Sequence, residues 1–258
     1  LSKAPHFQNV AVPITVRFSD FAGILKISDT DPLASPRGLA LKFHLPDGTE
    51  TDLVTHSFNG FPAATIDEFR QLLIALGSSG PGVATPTPAD IYLVAHPIAK
   101  SFLESQQPPP VSYATLSYFG VNSFKFTNAQ GETSIGRYQI VPQTGNQFLS
   151  EEEIARASPN YLADEIRQRV ADSPIRFNFR VQLPEPEDKI DNPSIAWPDT
   201  RKTIEIGVIE IMEAVHDSAA VERDLLFLPS QLPAGIEPAD PMLYRSPAYV
   251  ISYKRRNQ

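Results

Sequence analysis

The sequence predicts an α+β fold built on an antiparallel β-barrel, and three observations predict it. Stretches with alternating apolar and polar residues fall at the beginning, middle and end of the chain. Hairpin turns join neighbouring stretches, as antiparallel pairing requires and helical crossovers would not. Segments of helical period are inserted between them, and about seven strands are enough to curl a sheet toward closure.

Taken in order, residues 10–18 (VAVPITVRF) alternate toward their end and are rich in β-branched side chains, which predicts a strand. Residues 35–45 (SPRGLALKFHL) place Leu39, Leu41 and Phe43 on one face. The Pro46-Asp47-Gly48 turn signal then returns the chain as ETDLVTHSF, completing a hairpin. The period changes at residues 65–76. Thr65 and Glu68 read as a capping box, Ile66, Phe69, Leu72, Leu73 and Leu76 recur at helical spacing, and Gly77 ends the run. Residues 89–105 predict a second helix, broken or kinked at Pro97. A second hairpin, NSFKFTN–AQ–GETSIGRYQIV, turns over Asn128 to Gly131. Helices follow at 149–157, with Ser150 and Glu153 as the box, and at 160–172. Two long alternating strands lie at 174–183 and 203–213. From 224 onward the pattern is irregular until the final RSPAYVISYK.

The 258 residues suffice for one large domain, and 41% hydrophobic with 20% charged residues is ordinary globular composition. A net charge of −8 argues against nucleic acid as a partner, since phosphate binding needs a basic surface. No apolar run reaches the length of a membrane span. The absence of cysteine excludes disulfides, thiolate catalysis and zinc–thiolate sites, and leaves the compartment, cytoplasmic or periplasmic, open. The 25 prolines cluster in loops such as 81–88 and 106–110. The chain starts at Leu1, which leads to the expectation of a removed leader or a trimmed N-terminus.

The chemistry concentrates in the tail. A free phenol has a pKa of about 10, and a guanidinium beside it favours the phenolate. Arginine suits that task because it stays charged when buried. Arg245 and Tyr249 are four residues apart, so a helix would put them on one face, with Pro247 acceptable in its first turn. Such an anchored phenolate is a hard anionic donor suited to ferric iron. A surface tyrosine beside a solvated basic tail is the other reading of the same residues.

Five ordered blocks decide between them. VPITVRFSDFAG, DTDPLASPRGLALKFHLPDGTETDLV, NSFKFTNAQGE, DLLFLPSQLPAGIEPADPML and RSPAYVISYKRR resemble consecutive blocks of the haem catalase family, most closely its short members, the minimal catalase-related peroxidases. The resemblance covers nearly the whole chain. It implies a single haem-binding catalase-barrel domain over 1–258 with about eight strands. By the same resemblance the chain is expected to lack the C-terminal flavodoxin-like and helical domains of larger catalases. It also implies haem b iron bound by Tyr249, with Arg245 bonded to the phenolate, and propionates met by Arg17 and Arg256. Gly38, Val54, Phe61, Phe69, Phe227, Met242 and Tyr253 match further cofactor contacts. The implied activity is a peroxidase with weak catalase turnover. It would reduce hydrogen peroxide or organic hydroperoxides through a ferryl intermediate with a small organic reductant, in a homodimer. A fatty-acid hydroperoxide isomerase like allene oxide synthase, and a non-catalytic barrel binding a small ligand, are the alternatives.

The departures matter as much. Counted without gaps, His56 stands where typical catalases have a distal asparagine, and it becomes the candidate to orient peroxide or shuttle its proton. The other readings are a histidine that only hydrogen-bonds within the barrel, or a register shift that brings Asn59 into the asparagine role. Gln139 falls where the family has a proximal histidine. One residue separates Leu243 from Arg245, against two in the large catalases. The family's V-x-H-A-x-G motif, with its distal histidine, precedes the point matched by Leu1, so the chain is expected to be N-terminally truncated. His6, His44, His96 and His216 have no metal-ligand spacing and read as structural. Glu151–Glu153 read as a helix first turn, Trp197 as packing, and Phe177 and Phe179 as barrel interior.

Overall fold

The computed structural model describes residues 1–20, 26–105 and 107–257. The end of the quoted VRFSDFAG block and the first proline-loop glutamine, Gln106, lie outside the described residues. Eight strands form one antiparallel sheet. They are β1 (Ile14–Asp20), β2 (Arg37–His44), β3 (Glu50–His56), β4 (Tyr118–Thr127), β5 (Thr133–Pro142), β6 (Ile175–Gln182), β7 (Thr203–Ile211) and β8 (Ile236–Pro238). The first seven pair in chain order, and β8 pairs with β4 off that path. Helices α1 (Ile66–Gly77), α2 (Pro88–Ala95) and α3 (Pro97–Glu104) are inserted between β3 and β4. Helices α4 (Glu151–Arg156) and α5 (Tyr161–Asp172) lie between β5 and β6, with α6 (Ser218–Asp224) and α7 (Ser246–Arg256) near the end.

Local chemistry sets the boundaries. The first strand starts at Ile14 rather than at 10, because Pro13 has no N–H to give and contributes only its carbonyl, which accepts from His44 N at 2.9 Å. Thr65 caps α1 by accepting from Glu68 N at 3.2 Å. The Glu68 carboxylate passes over Thr65 and accepts from Ala64 N at 2.8 Å, so the expected reciprocal box is displaced by one residue. The Ser150–Glu153 box is complete. Pro97 ends the 89–105 helical run by starting a new helix, α3. The irregular stretch after 224 contains α6, the short β8 and the tail helix α7.

Register assigns each strand two faces, since side chains alternate and paired residues share a face. Leu39, Leu41 and Phe43 of β2 turn inward to Phe177, Phe179 and Tyr138, and all six are buried. Tyr138 stacks on Phe179 at 5.3 Å between ring centroids. Each such side chain removed from water stabilises the fold by about 1.5–3 kcal/mol. The opposite face carries different chemistry. Gly38, Ala40 and Lys42 of β2 alternate with the core residues. They pair with Ser19, Arg17 and Thr15 of β1 and with His56, Val54 and Asp52 of β3. Gly38 is required there, because a Cβ would meet Ser19 Oγ at 2.6 Å. Trp197 and the inward Phe177 and Phe179 are buried as the sequence suggests.

One irregularity prepares the site. The β4–β5 register shifts between Gly120 and Phe124, so three residues of β4 face one of β5. Asn122 sits in that bulge and is freed from the regular ladder.

Candidate functional site

Tyr249 and Arg245 come together as the spacing requires. Arg245 stands at the N-cap of α7, and its Nε donates to Tyr249 Oη at 3.2 Å one turn on. The guanidinium is fixed from behind. Its Nη1 donates to Met242 O at 2.9 Å and to Asn122 Oδ1 at 3.0 Å, and Asn122 Nδ2 donates to Asp240 Oδ2 at 2.8 Å. Asp240 is buried and also caps the turn through Met242 N. Burial raises the Asp240 carboxyl above its ordinary value, opposed by the bonds from Asn122 and Met242 and by the charges of Arg137 and Arg245. The result is an ordered chain of four polar side chains, Asp240–Asn122–Arg245–Tyr249, anchored on the β4 bulge.

That chain corrects one expectation. Gln139 lies opposite Phe119 and Arg180 in the β5 ladder, while Asn122 makes the contact with Arg245. Nothing in the sequence marks the bulge that lets Asn122 reach Arg245.

A second group gathers around Arg17 on the outer face of β1. Its guanidinium lies 5.2 Å from the centroid of the Phe227 ring, and Lys42 Nζ lies 5.5 Å from the same ring. Burial lowers the Arg17 pKa. Glu222 and Tyr249 oppose this, and the like charge of Arg256 adds to it. Tyr249 and Arg256 of the tail are therefore close enough to Arg17 for their charges to be felt. Arg17 Nε is buried and has no hydrogen-bond partner among the described residues. Arg256 donates to Leu225 O at 3.0 Å, and its guanidinium lies 5.9 Å from the Tyr253 ring. Lys42 is held by Asp52 at 2.8 Å, and Asp52 also accepts from Leu228 N at 2.7 Å, which moors the strand-like strap that carries Phe227.

His56 closes β3, directly opposite Gly38. It is 7% exposed, lies 6.1 Å from the Phe61 ring and meets Phe102 edge-on at 6.4 Å. Phe61 in turn packs on Phe69 at 4.8 Å. Burial, and secondarily the charge of Arg245, push the imidazole down to about 3, so it is neutral at neutral pH. Val54 shares the outer face two residues earlier, half-buried. Sequence reading found His56, Phe61 and Phe69. It missed Phe102, Asn122 and Asp240, because each acts across a long separation in the chain, and it missed the Lys42–Asp52 pair across the β2–β3 hairpin. The other histidines have structural settings. His6 stacks on Phe43 at 4.8 Å, His44 bonds Thr15, and His96 bonds Tyr92 O. No group of three or more acidic or histidine side chains placed to hold a metal ion occurs among the described residues.

The family model described as Catalase matches residues 1–256. The chain belongs to the catalase family. Catalase-related peroxidases from Synechococcus elongatus and Mycolicibacterium paratuberculosis are 34% and 35% identical to it. These matches cover 100% and 99% of this chain, and 77% and 82% of the relatives. The names of these catalase-family relatives are those of oxidoreductases that act on peroxide. A fungal catalase solved at 1.9 Å and catalase A from Saccharomyces cerevisiae share the fold. Each has a TM-score of 0.85 at 20% identity, covering 99% of this chain. The chain spans 55% and 56% of those solved catalases.

The catalase family implies haem, and the residues present fit it. Arg17 offers a buried N–H that no atom of the described residues accepts. The tail supplies an oxygen donor with a cation bonded to it. Tyr249 is half-buried on a helix that carries no fully buried side chain.

Proposed function

We propose that this catalase-family chain is a haem-dependent peroxidase. It would reduce hydrogen peroxide, and those organic hydroperoxides that reach the site, at the expense of a small organic reductant, with weak catalase turnover. The observation that carries this reading is the bond from Arg245 Nε to Tyr249 Oη on a helix with no core of its own.

In this reading Tyr249 holds the iron of haem b, while Arg17 and Arg256 meet its propionates. When bound, the haem supplies the redox centre at which the peroxide O–O bond is reduced. The protein supplies the rest. Arg245 matches the negative charge of a metal-bound phenolate, and Asn122 holds the guanidinium so that it does not swing away. Asn122 carries no titratable proton, so this link transmits position and dipole rather than a proton. Neutral His56 carries an acceptor nitrogen in its ring, the chemistry needed to orient a peroxide hydroxyl. With its pKa pushed down to about 3, it takes a proton only briefly and returns it to the departing oxygen. Phe61 and Phe69 keep water away from that proton.

Reconstitution with haemin tests the reading. The expected result is a ferric tyrosinate spectrum, peroxide-dependent oxidation of an organic donor, and loss of both the spectrum and the oxidation in Tyr249→Phe. Protein that binds no tetrapyrrole with Tyr249 intact overturns it. An epoxide or ketol from a fatty-acid hydroperoxide, without donor oxidation, assigns the site to isomerisation instead.

A further inference from the structure

The described residues also form a hollow that the site above does not use. A cavity of about 280 Å³ opens between the turn at Pro32–Ala34, the start of β2 and the segment 107–110. That volume lies just below the small-molecule range of about 300–1,000 Å³. One wall is three consecutive prolines, Pro108 to Pro110, with Leu116 beside them. Ser57 and Gln107 add a hydroxyl and an amide.

The cavity offers no uncompensated positive charge. Arg37 lines it and is 2% exposed, and its guanidinium is bound to the Asp20 carboxylate and to the carbonyls of Asp29 and Ala34, with its Nε unbonded among the described residues. The Asp31 carboxylate, on the rim, accepts from Leu33 N at 2.8 Å. An anionic ligand would lose hydration and meet that carboxylate. A neutral ring with one hydroxyl would lose little. Proline ring faces pack well on aromatic rings, as proline-rich recognition shows in reverse.

Ser35, Ser57 and Gln107 line both this basin and an inner crevice of about 10 Å³, which is completed by Phe58 and Phe102. A single water needs roughly 10–15 Å³. Phe102 in turn meets His56 edge-on at 6.4 Å. The crevice therefore borders a ring that packs on His56, and at about 10 Å³ it is too small to admit a phenol ring.

We propose that this basin binds the organic reductant, a small neutral phenol. The assignment rests on the peroxidase reading above. The overall exchange balances: two phenols each lose one electron and their hydroxyl proton, and one hydrogen peroxide gains two electrons and two protons to give two waters.

The test is calorimetric titration of the haem-loaded protein with guaiacol, alongside guaiacol oxidation kinetics. Thr30→Trp and Pro108→Trp each place an indole in the basin from opposite rims and away from the inner crevice. At unchanged haem loading, each weakens guaiacol binding and raises its KM by about tenfold or more, which corresponds to losing one well-buried contact. 4-Hydroxybenzoate, which adds a carboxylate, binds the unaltered protein about tenfold more weakly than guaiacol. Unchanged guaiacol affinity and KM in both tryptophan variants overturns the basin alone. Equal affinity for the benzoate overturns the ligand class. Guaiacol bound but never oxidised overturns the peroxidase reading beneath it.

Discussion

The two faces of β1–β3 are made of the same strands and have opposite economies. The inner face is Leu39, Leu41, Phe43 and their aromatic neighbours, closed on itself and dry. The outer face has a half-buried arginine, a buried lysine paired with Asp52, a buried neutral histidine and two small residues, Gly38 and Ala40, in the central strand. The inner face accounts for why the sheet exists. On the outer face the Arg17 Nε is left without a partner among the described residues, and a buried unpaired donor costs stability unless something completes it. The difference teaches that one face folds the chain and the other was shaped around a partner the chain does not itself supply.

The comparison can be broken at four points. Phe177→Ala, on the inner face, should cost about 3–5 kcal/mol of unfolding free energy, equally with and without haem. Denaturant titration of both forms measures it, and a cost confined to the haem-loaded form would dissolve the distinction between faces. Asn122→Ala removes the link between Asp240 and Arg245 and should weaken haem retention about 10–100-fold, the usual scale for partners behind a metal ligand. Haem transfer to apomyoglobin reads this rate. Arg17→Met should leave the stability of the haem-free protein unchanged or raised while weakening haem binding about tenfold, since a buried unmatched charge has been removed along with a propionate partner. A destabilised haem-free protein would show that Arg17 serves the fold after all. The smallest effect concerns pH. Burial pushes His6 down to about 4 from 6.5, so below 6.5 the unfolded chain binds a proton that the folded chain refuses. Stability is fully present above pH 6.5 and is lost as pH falls from there toward 4. His6→Phe should flatten that slope by on the order of 1 kcal/mol between pH 7 and 5, seen in urea midpoints at the two values.

Much of this was legible in the sequence, for identifiable reasons. Alternation in 35–45 and 174–183 exposed the strands because one face of each is buried and the period is two. The Arg245–Tyr249 pair was legible because it lies within one helical turn. The β1 boundary was misjudged by four residues, as a proline at 13 breaks the ladder without breaking the apolar pattern. Asn122 was illegible for a deeper reason. A bulge adds residues to one strand only, and ungapped counting along the chain cannot see it. The phenol basin was equally hidden, because its walls come from the turn at Pro32, from Ser57 and from residues 107–116, segments with no pattern in common.

The tail helix has one more consequence. Helix α7 buries none of its own side chains, and its far end is tied down mainly by Arg256 on Leu225 O and Asn257 on Arg223 O, both exposed bonds. Its interior is lent by whatever sits against Tyr249. A cell short of iron would therefore make a polypeptide whose last dozen or so residues are the first to be clipped. Cofactor supply would then be written directly into how long each molecule survives.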